Sequence, residues 1–81
     1  MRTKVLFFGI LKDLAGISAE ETDFPAGADL RSVFDRYAAR FPAVRAMASS
    51  IVVARNQEFA DLSTKLEEGD EVAFLPPVSG G

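Results

Sequence analysis

Neither cysteine nor histidine occurs anywhere in these 81 residues. Without them the chain can form no disulfide, no Cys/His metal site, no thiol nucleophile and no Ser-His or Cys-His catalytic pair. A self-sufficient enzyme of that kind is excluded. Long apolar runs are also missing, and none approaches the ~20 residues of a membrane span. No secretory leader is expected, because the apolar run Val5 to Leu11 is interrupted by Gly9 and followed at once by Lys12 and Asp13. The expected location is the cytoplasm. Positive charge is not in excess either. Nine Lys and Arg against twelve Asp and Glu leave a net charge of −3, which argues against a nucleic-acid partner held through its phosphates.

What is present is the composition of one folded domain, 48% hydrophobic and 26% charged, neither disordered nor membranous. A chain of this size buries about 60% of the surface it exposes when unfolded. The expected stability is therefore modest, roughly 4–12 kcal/mol. With Cys and His gone, adjacent acids are the remaining candidates for side-chain catalysis. Neighbours on a strand point to opposite faces, however, and Glu67-Glu68 lead straight into the turn signal Gly69-Asp70. Both Glu20-Glu21 and Glu67-Glu68 read as solvated loop or surface acids.

Along the chain, Arg2 to Ile10 reads as a first strand rich in β-formers. Val5 and Phe7 share one parity and Leu6 and Phe8 the other, so both faces are apolar. Such a strand is either covered on both sides or has one face on the core and the other on a partner. With one strong helix to supply cover, the second option gains weight. Leu11 to Gly16 closes a turn or a short helical segment. Ser18 to Phe24 suits a second strand, a hairpin partner of the first and partly solvent-facing, ended by Pro25-Ala26-Gly27.

The clearest helix follows, with Asp29 as N-cap and apolar residues at Leu30, Val33, Phe34, Tyr37, Ala38 and Phe41 in the i, i+3, i+4 spacing of one buried stripe. Arg31, Asp35, Arg36 and Arg40 fall on the solvent side, and Pro42 marks the end. Ala43 to Ser50 is a loop or a helical turn around Val44 and Met47. Ile51 to Ala54 is a β-branched strand and Asn56-Gln57-Glu58 a turn, after which Phe59 begins a brief edge strand. Leu62 and Leu66 anchor an irregular segment to the core. Glu68-Gly69-Asp70 turns into a last strand, Glu71 to Leu75.

Right-handed crossover makes the segments on either side of the helix candidates for parallel pairing. Placing the last strand beside the first gives an α+β, β-grasp arrangement: a mixed sheet of about five strands on one main helix. Residues 1–75 form this domain. Residues 76–81 form a flexible tail.

That tail has its own chemistry. Pro76 and Pro77 fix φ and remove two backbone donors, so the segment leaves the sheet as a stiff, extended spacer. Val78 and Ser79 lead to Gly80 and Gly81, which fit a channel too narrow for any Cβ. An unhindered terminal carboxylate at Gly81 can attack the α-phosphate of ATP, giving an acyl-adenylate that a sulfur or nitrogen nucleophile displaces. The reactive atom then belongs to the backbone.

Over nearly its whole length the sequence resembles the small subunits of molybdopterin synthase, the MoaD-type sulfur carriers of the ubiquitin-like β-grasp fold. The resemblance is carried by Val5-Leu6-Phe7-Phe8-Gly9, by Leu14-Ala15-Gly16, by Val53 to Gln57, and by Gly69-Asp70-Glu71-Val72-Ala73-Phe74-Leu75-Pro76-Pro77-Val78-Ser79-Gly80-Gly81. It implies that an E1-like, MoeB-type enzyme adenylates Gly81 with ATP and magnesium, and that sulfur transfer makes a thiocarboxylate. It also implies that the tail, Pro76 to Gly81, enters a MoaE-type large subunit and gives its sulfur to the molybdopterin dithiolene, in an assembly of two small and two large subunits. The small subunit itself binds no cofactor or metal. Partner-interface positions correspond to Phe8, Phe59 and Leu75, with Lys12 where a basic residue is usual. Gly9 stands where the family often has alanine, a change expected to matter little. Alternatives are a β-grasp sulfur carrier for thiamine or tRNA thiolation, and a ubiquitin-like modifier or interaction module.

Overall fold

The computed structural model of the chain describes residues 1–77. Its elements are β1 (Arg2–Phe7), α1 (Ile10–Ala15), β2 (Ala19–Asp23), α2 (Leu30–Arg40), α3 (Pro42–Arg45), β3 (Val52–Arg55), β4 (Glu58–Phe59) and β5 (Glu71–Leu75). Alternation in β1 decides how they assemble. Thr3, Val5 and Phe7 are buried against the helices, whereas Lys4 is exposed and Leu6 half-buried on the opposite face. Two-sided apolar character thus resolves into a core face and an open face.

The sheet has five strands in the order β2-β1-β5-β3-β4. β1 and β2 form the antiparallel hairpin, Arg2 opposite Asp23 and Leu6 opposite Ala19. β5 lies parallel to β1 with Phe7 opposite Phe74, and β3 runs antiparallel to β5 with Val53 opposite Phe74. This is the expected mixed β-grasp sheet with the last strand beside the first. One expectation needs correcting. The strands flanking α2 run in the same direction but do not pair, because β1 and β5 lie between them.

α2 forms where its caps and stripe place it. The Asp29 carboxylate accepts the Ser32 amide at 3.0 Å, and Leu30, Val33, Phe34, Tyr37 and Ala38 are buried. Phe41 leaves helical geometry ahead of Pro42, which then opens the short α3 as its first residue. The core is a ring cluster: Phe7 meets Tyr37 edge-on at 5.2 Å, and Phe74 lies 5.7 Å from Phe7 and 5.8 Å from Phe34.

β1 stops at Phe7 rather than continuing to Ile10, because Gly9 turns the chain at φ 57°, ψ −136° into α1. α1 is the helical form of the Leu11 to Gly16 segment, ended by Gly16 at φ 76°. Glu20 departs from the solvated-acid reading. It lies half-buried on β2, accepting the Tyr37 hydroxyl at 2.9 Å and both arms of the Arg40 guanidinium at 2.7 and 2.8 Å.

Candidate functional site

The open face of the sheet carries an apolar row fixed by strand register. Leu6 stands opposite Ala73, Ala73 opposite Ala54, and Ala54 opposite Phe59. Leu75 follows two residues further along β5 and Phe8 just past the end of β1, and all six line one groove with Gln57 and Glu71. The two alanines are 8% and 6% exposed, whereas Phe8 is 45% and Phe59 78% exposed. Small side chains make a floor between large, solvent-facing ones. These apolar side chains thus form one contiguous patch rather than singly scattered surface residues.

Local chemistry holds Phe59 there. Asn56 and Gln57 both take positive φ, 51° and 70°, the tight turn that suits a two-residue hairpin. The Asn56 side chain accepts the Glu71 amide at 2.9 Å and donates to Asp70 at 3.0 Å, tying that turn to the start of β5. Asp70 is 4% exposed and also accepts the Arg55 Nε at 2.7 Å and the Glu67 amide at 2.7 Å. Burial by itself would raise its pKa, but the Arg55 and Asn56 hydrogen bonds and the Glu67 amide outweigh burial and hold it below the usual carboxylate value. On the core side, the Arg40 hydrogen bond foremost keeps Glu20 below its ordinary value, while burial and the bond to Glu20 push the Tyr37 hydroxyl up. These groups brace the sheet from within and do not line the groove.

The ladder ends beside the groove for a chemical reason. Lys4 donates to the Asp70 carbonyl at 3.0 Å and Phe8 to the Phe74 carbonyl at 3.1 Å. Parallel pairing would draw the next bond from the amide of residue 76 to the Phe8 carbonyl. Pro76 has no such amide, and the Phe8 carbonyl instead accepts from Leu11 at 3.1 Å. Gly9 lies against this exit: a Cβ built there would stand 2.9 Å from Cγ of Pro76. A side chain at this position would therefore press on the Pro76 ring.

Phe8, Phe59 and Leu75 are thus brought together, and Leu6, Ala54 and Ala73 join them. Lys12 is not part of the groove. It lies exposed on α1, lining a separate hollow with Asp13, Gly16, Ile17, Ser18 and Ala19. Pro76 and Pro77 lead away from Leu75, and Val78, Ser79, Gly80 and Gly81 lie outside the described residues. Among the described residues, no group of three Asp or Glu side chains is gathered to hold a metal ion, and no helix is long and apolar enough to cross a membrane.

The ThiS family model matches residues 5–81. The molybdopterin synthase sulfur carrier subunit of Escherichia coli is 39% identical over 80 residues, covering 96% of this chain and 98% of that protein. Among solved structures, SAMP1 of Haloferax volcanii, a small archaeal modifier protein, superimposes with a TM-score of 0.87 at 29% identity over the full length of both chains. One chain in the structure of a complex of subunits 1 and 2 of the molybdopterin-converting factor from Helicobacter pylori matches with a TM-score of 0.72 at 26% identity, again over the full length of both chains. By the family match and by this end-to-end similarity, the chain belongs to the ThiS family and is a relative of the molybdopterin synthase sulfur carrier subunits.

Proposed function

We propose that this chain is the sulfur carrier of a molybdopterin synthase. The observation that carries the reading is the apolar groove of Phe8, Phe59 and Leu75 lying beside the strand that leads into Pro76. Residues 1–75 are the body that a partner grips, and residues 76–81 are the delivery arm. A carboxylate oxygen of Gly81 attacks the α-phosphate of ATP, held with magnesium by an E1-like enzyme, and pyrophosphate leaves. Sulfide-level sulfur, as HS⁻ from the sulfur donor, then attacks the acyl carbon, AMP leaves with the C–O bond broken, and loss of a proton gives the thiocarboxylate. The arm carries that sulfur into a large subunit docked on the groove, with Lys12 to one side, where it builds the dithiolene of molybdopterin. The catalytic side chains belong to the partners, which accords with a chain that has no Cys or His.

The test is the intact mass after incubation with the E1-like enzyme, ATP, magnesium and a sulfur donor, beside a chain lacking Gly81. The expected result is a gain matching one oxygen replaced by sulfur, confined to the full chain. No adenylate or thiocarboxylate with an enzyme active on another carrier overturns the reading. Similarity to the archaeal modifier protein favours a second reading, a ubiquitin-like modifier. Lysine conjugates that depend on Gly81 would support it.

A further inference from the structure

We infer that Glu71 is a specificity-determining residue of the docking groove, a carboxylate placed to receive a basic side chain of the protein that docks there. That this protein is a large subunit rests on the sulfur-carrier reading; the preference of the groove for an apolar cation does not. Three observations converge. Six of the eight residues lining the groove are apolar, and Glu71 is the one that carries a charge. It shares the parity of Ala73 and Leu75 on β5 and is half-buried, so its side chain belongs to the same face as the apolar row. Among the described residues its carboxylate takes part in no salt bridge and no hydrogen bond. Its backbone, by contrast, is fixed: the Glu71 amide donates to the Asn56 side chain at 2.9 Å, and the Glu71 carbonyl accepts the Asn56 amide at 2.8 Å. The strand is held while the carboxylate oxygens are left uncommitted.

The neighbouring charges do not neutralise it. Lys4 stands opposite Glu71 on one side and opposite Glu21 on the other, and Arg2 is shared between Glu21 at 4.0 Å and Asp23 at 3.6 Å. Two cations thus face three carboxylates at this end of the open face, and the excess is negative. The groove therefore has two unlike ends. Phe8 and Leu75 stand where the chain leaves the sheet, and Glu71 lies four residues back along β5, about 13 Å at the usual strand rise. Apolar contact alone lets a partner slide along the row. A carboxylate covered by that partner costs affinity unless a cation meets it, and so sets both the register of docking and the choice of partner.

The test first titrates the free chain with benzamidine, an apolar cation, and with its neutral analogue benzamide, following backbone amide shifts by nuclear magnetic resonance. Benzamidine is expected to shift Gln57, Phe59 and Glu71 and to bind about three- to fivefold more tightly than benzamide, the scale of one partly exposed charge pair. Glu71→Gln is expected to remove that preference. Equal binding of the two probes by the wild-type chain, binding of neither, or a preference that survives Glu71→Gln overturns the inference. Should the variant fail to fold, the wild-type comparison decides alone. The second measurement is calorimetric titration of the large subunit into the wild-type chain, Glu71→Gln and Glu58→Gln, the last an exposed acid on β4 outside the groove. Glu71→Gln is expected to weaken binding about 30-fold, the low end for truncating one member of a covered charge pair, and Glu58→Gln less than about twofold. An equal loss in both assigns the effect to net charge and overturns the inference. A wild-type chain that prefers benzamidine but binds no large subunit leaves Glu71 standing as a cation site and sinks the sulfur-carrier reading.

Discussion

Phe59 keeps 78% of its surface in water on a two-residue edge strand, where it adds nothing to the core. Under the proposed docking of a large subunit, Phe59 would contribute through the partner that covers it. Phe59→Ala is expected to leave the thermal midpoint unchanged and to weaken binding of the large subunit about 5- to 30-fold, more than most interface truncations cost; calorimetric titration reads the affinity. That Phe8, Phe59 and Leu75 share one groove agrees with the positions that the family resemblance singles out, and Phe8 is marked by parity as well. Ala54 and Ala73 were not, because an alanine buried between strands leaves no periodic mark. For Gly9, its size is written in the sequence, but its φ and the proline ring beside it arise only when β1 and β5 end at one level. Lys12 matched a basic family position, yet it lies on α1 outside the groove.

At the scale of elements, the hairpin carrying Phe59 is fastened to β5 by Asp70 rather than by the edge strand's own two residues. Arg55, Asn56 and the Glu67 amide all donate to that carboxylate. Its pKa is lower folded than unfolded, so its stabilisation is present above the unfolded value of about 4 and is lost as pH falls through the lower folded value. Glu20 acts in the same sense through Arg40. Stability should therefore be flat near neutrality and decline below about pH 4. Asp70→Asn should cost about 2–3 kcal/mol at pH 7 and flatten the acid limb, as read from urea midpoints across pH. Element types were readable because cap, stripe and breaker agree from Asp29 to Pro42. The pairing of strands was only partly readable. Crossover handedness orients β2 and β3, but it does not say that two strands lie between them.

The whole molecule depends on one small aromatic core. Phe74 is fully buried among the rings of Phe7, Phe34 and Tyr37. Phe74→Ala should cost about 3–5 kcal/mol, a large share of the roughly 4–12 kcal/mol expected of such a domain. The chain would then be marginally folded at 37 °C, with a lowered urea midpoint. Phe59→Ala and Phe74→Ala thus separate docking from folding in one pair of measurements. The parallel pairing of β1 with β5 has a further result, in the order of synthesis. β1 leaves the ribosome first among the strands and β5 last, and the space between β1 and β3 is filled by β5 alone. A nascent or broken chain that stops before residue 71 has a hairpin on one side, a lone β3–β4 ribbon on the other, and Phe7 without Phe74 to cover it. Folding must wait for its most distant contact, so the body closes only once the strand that bears the tail has been made.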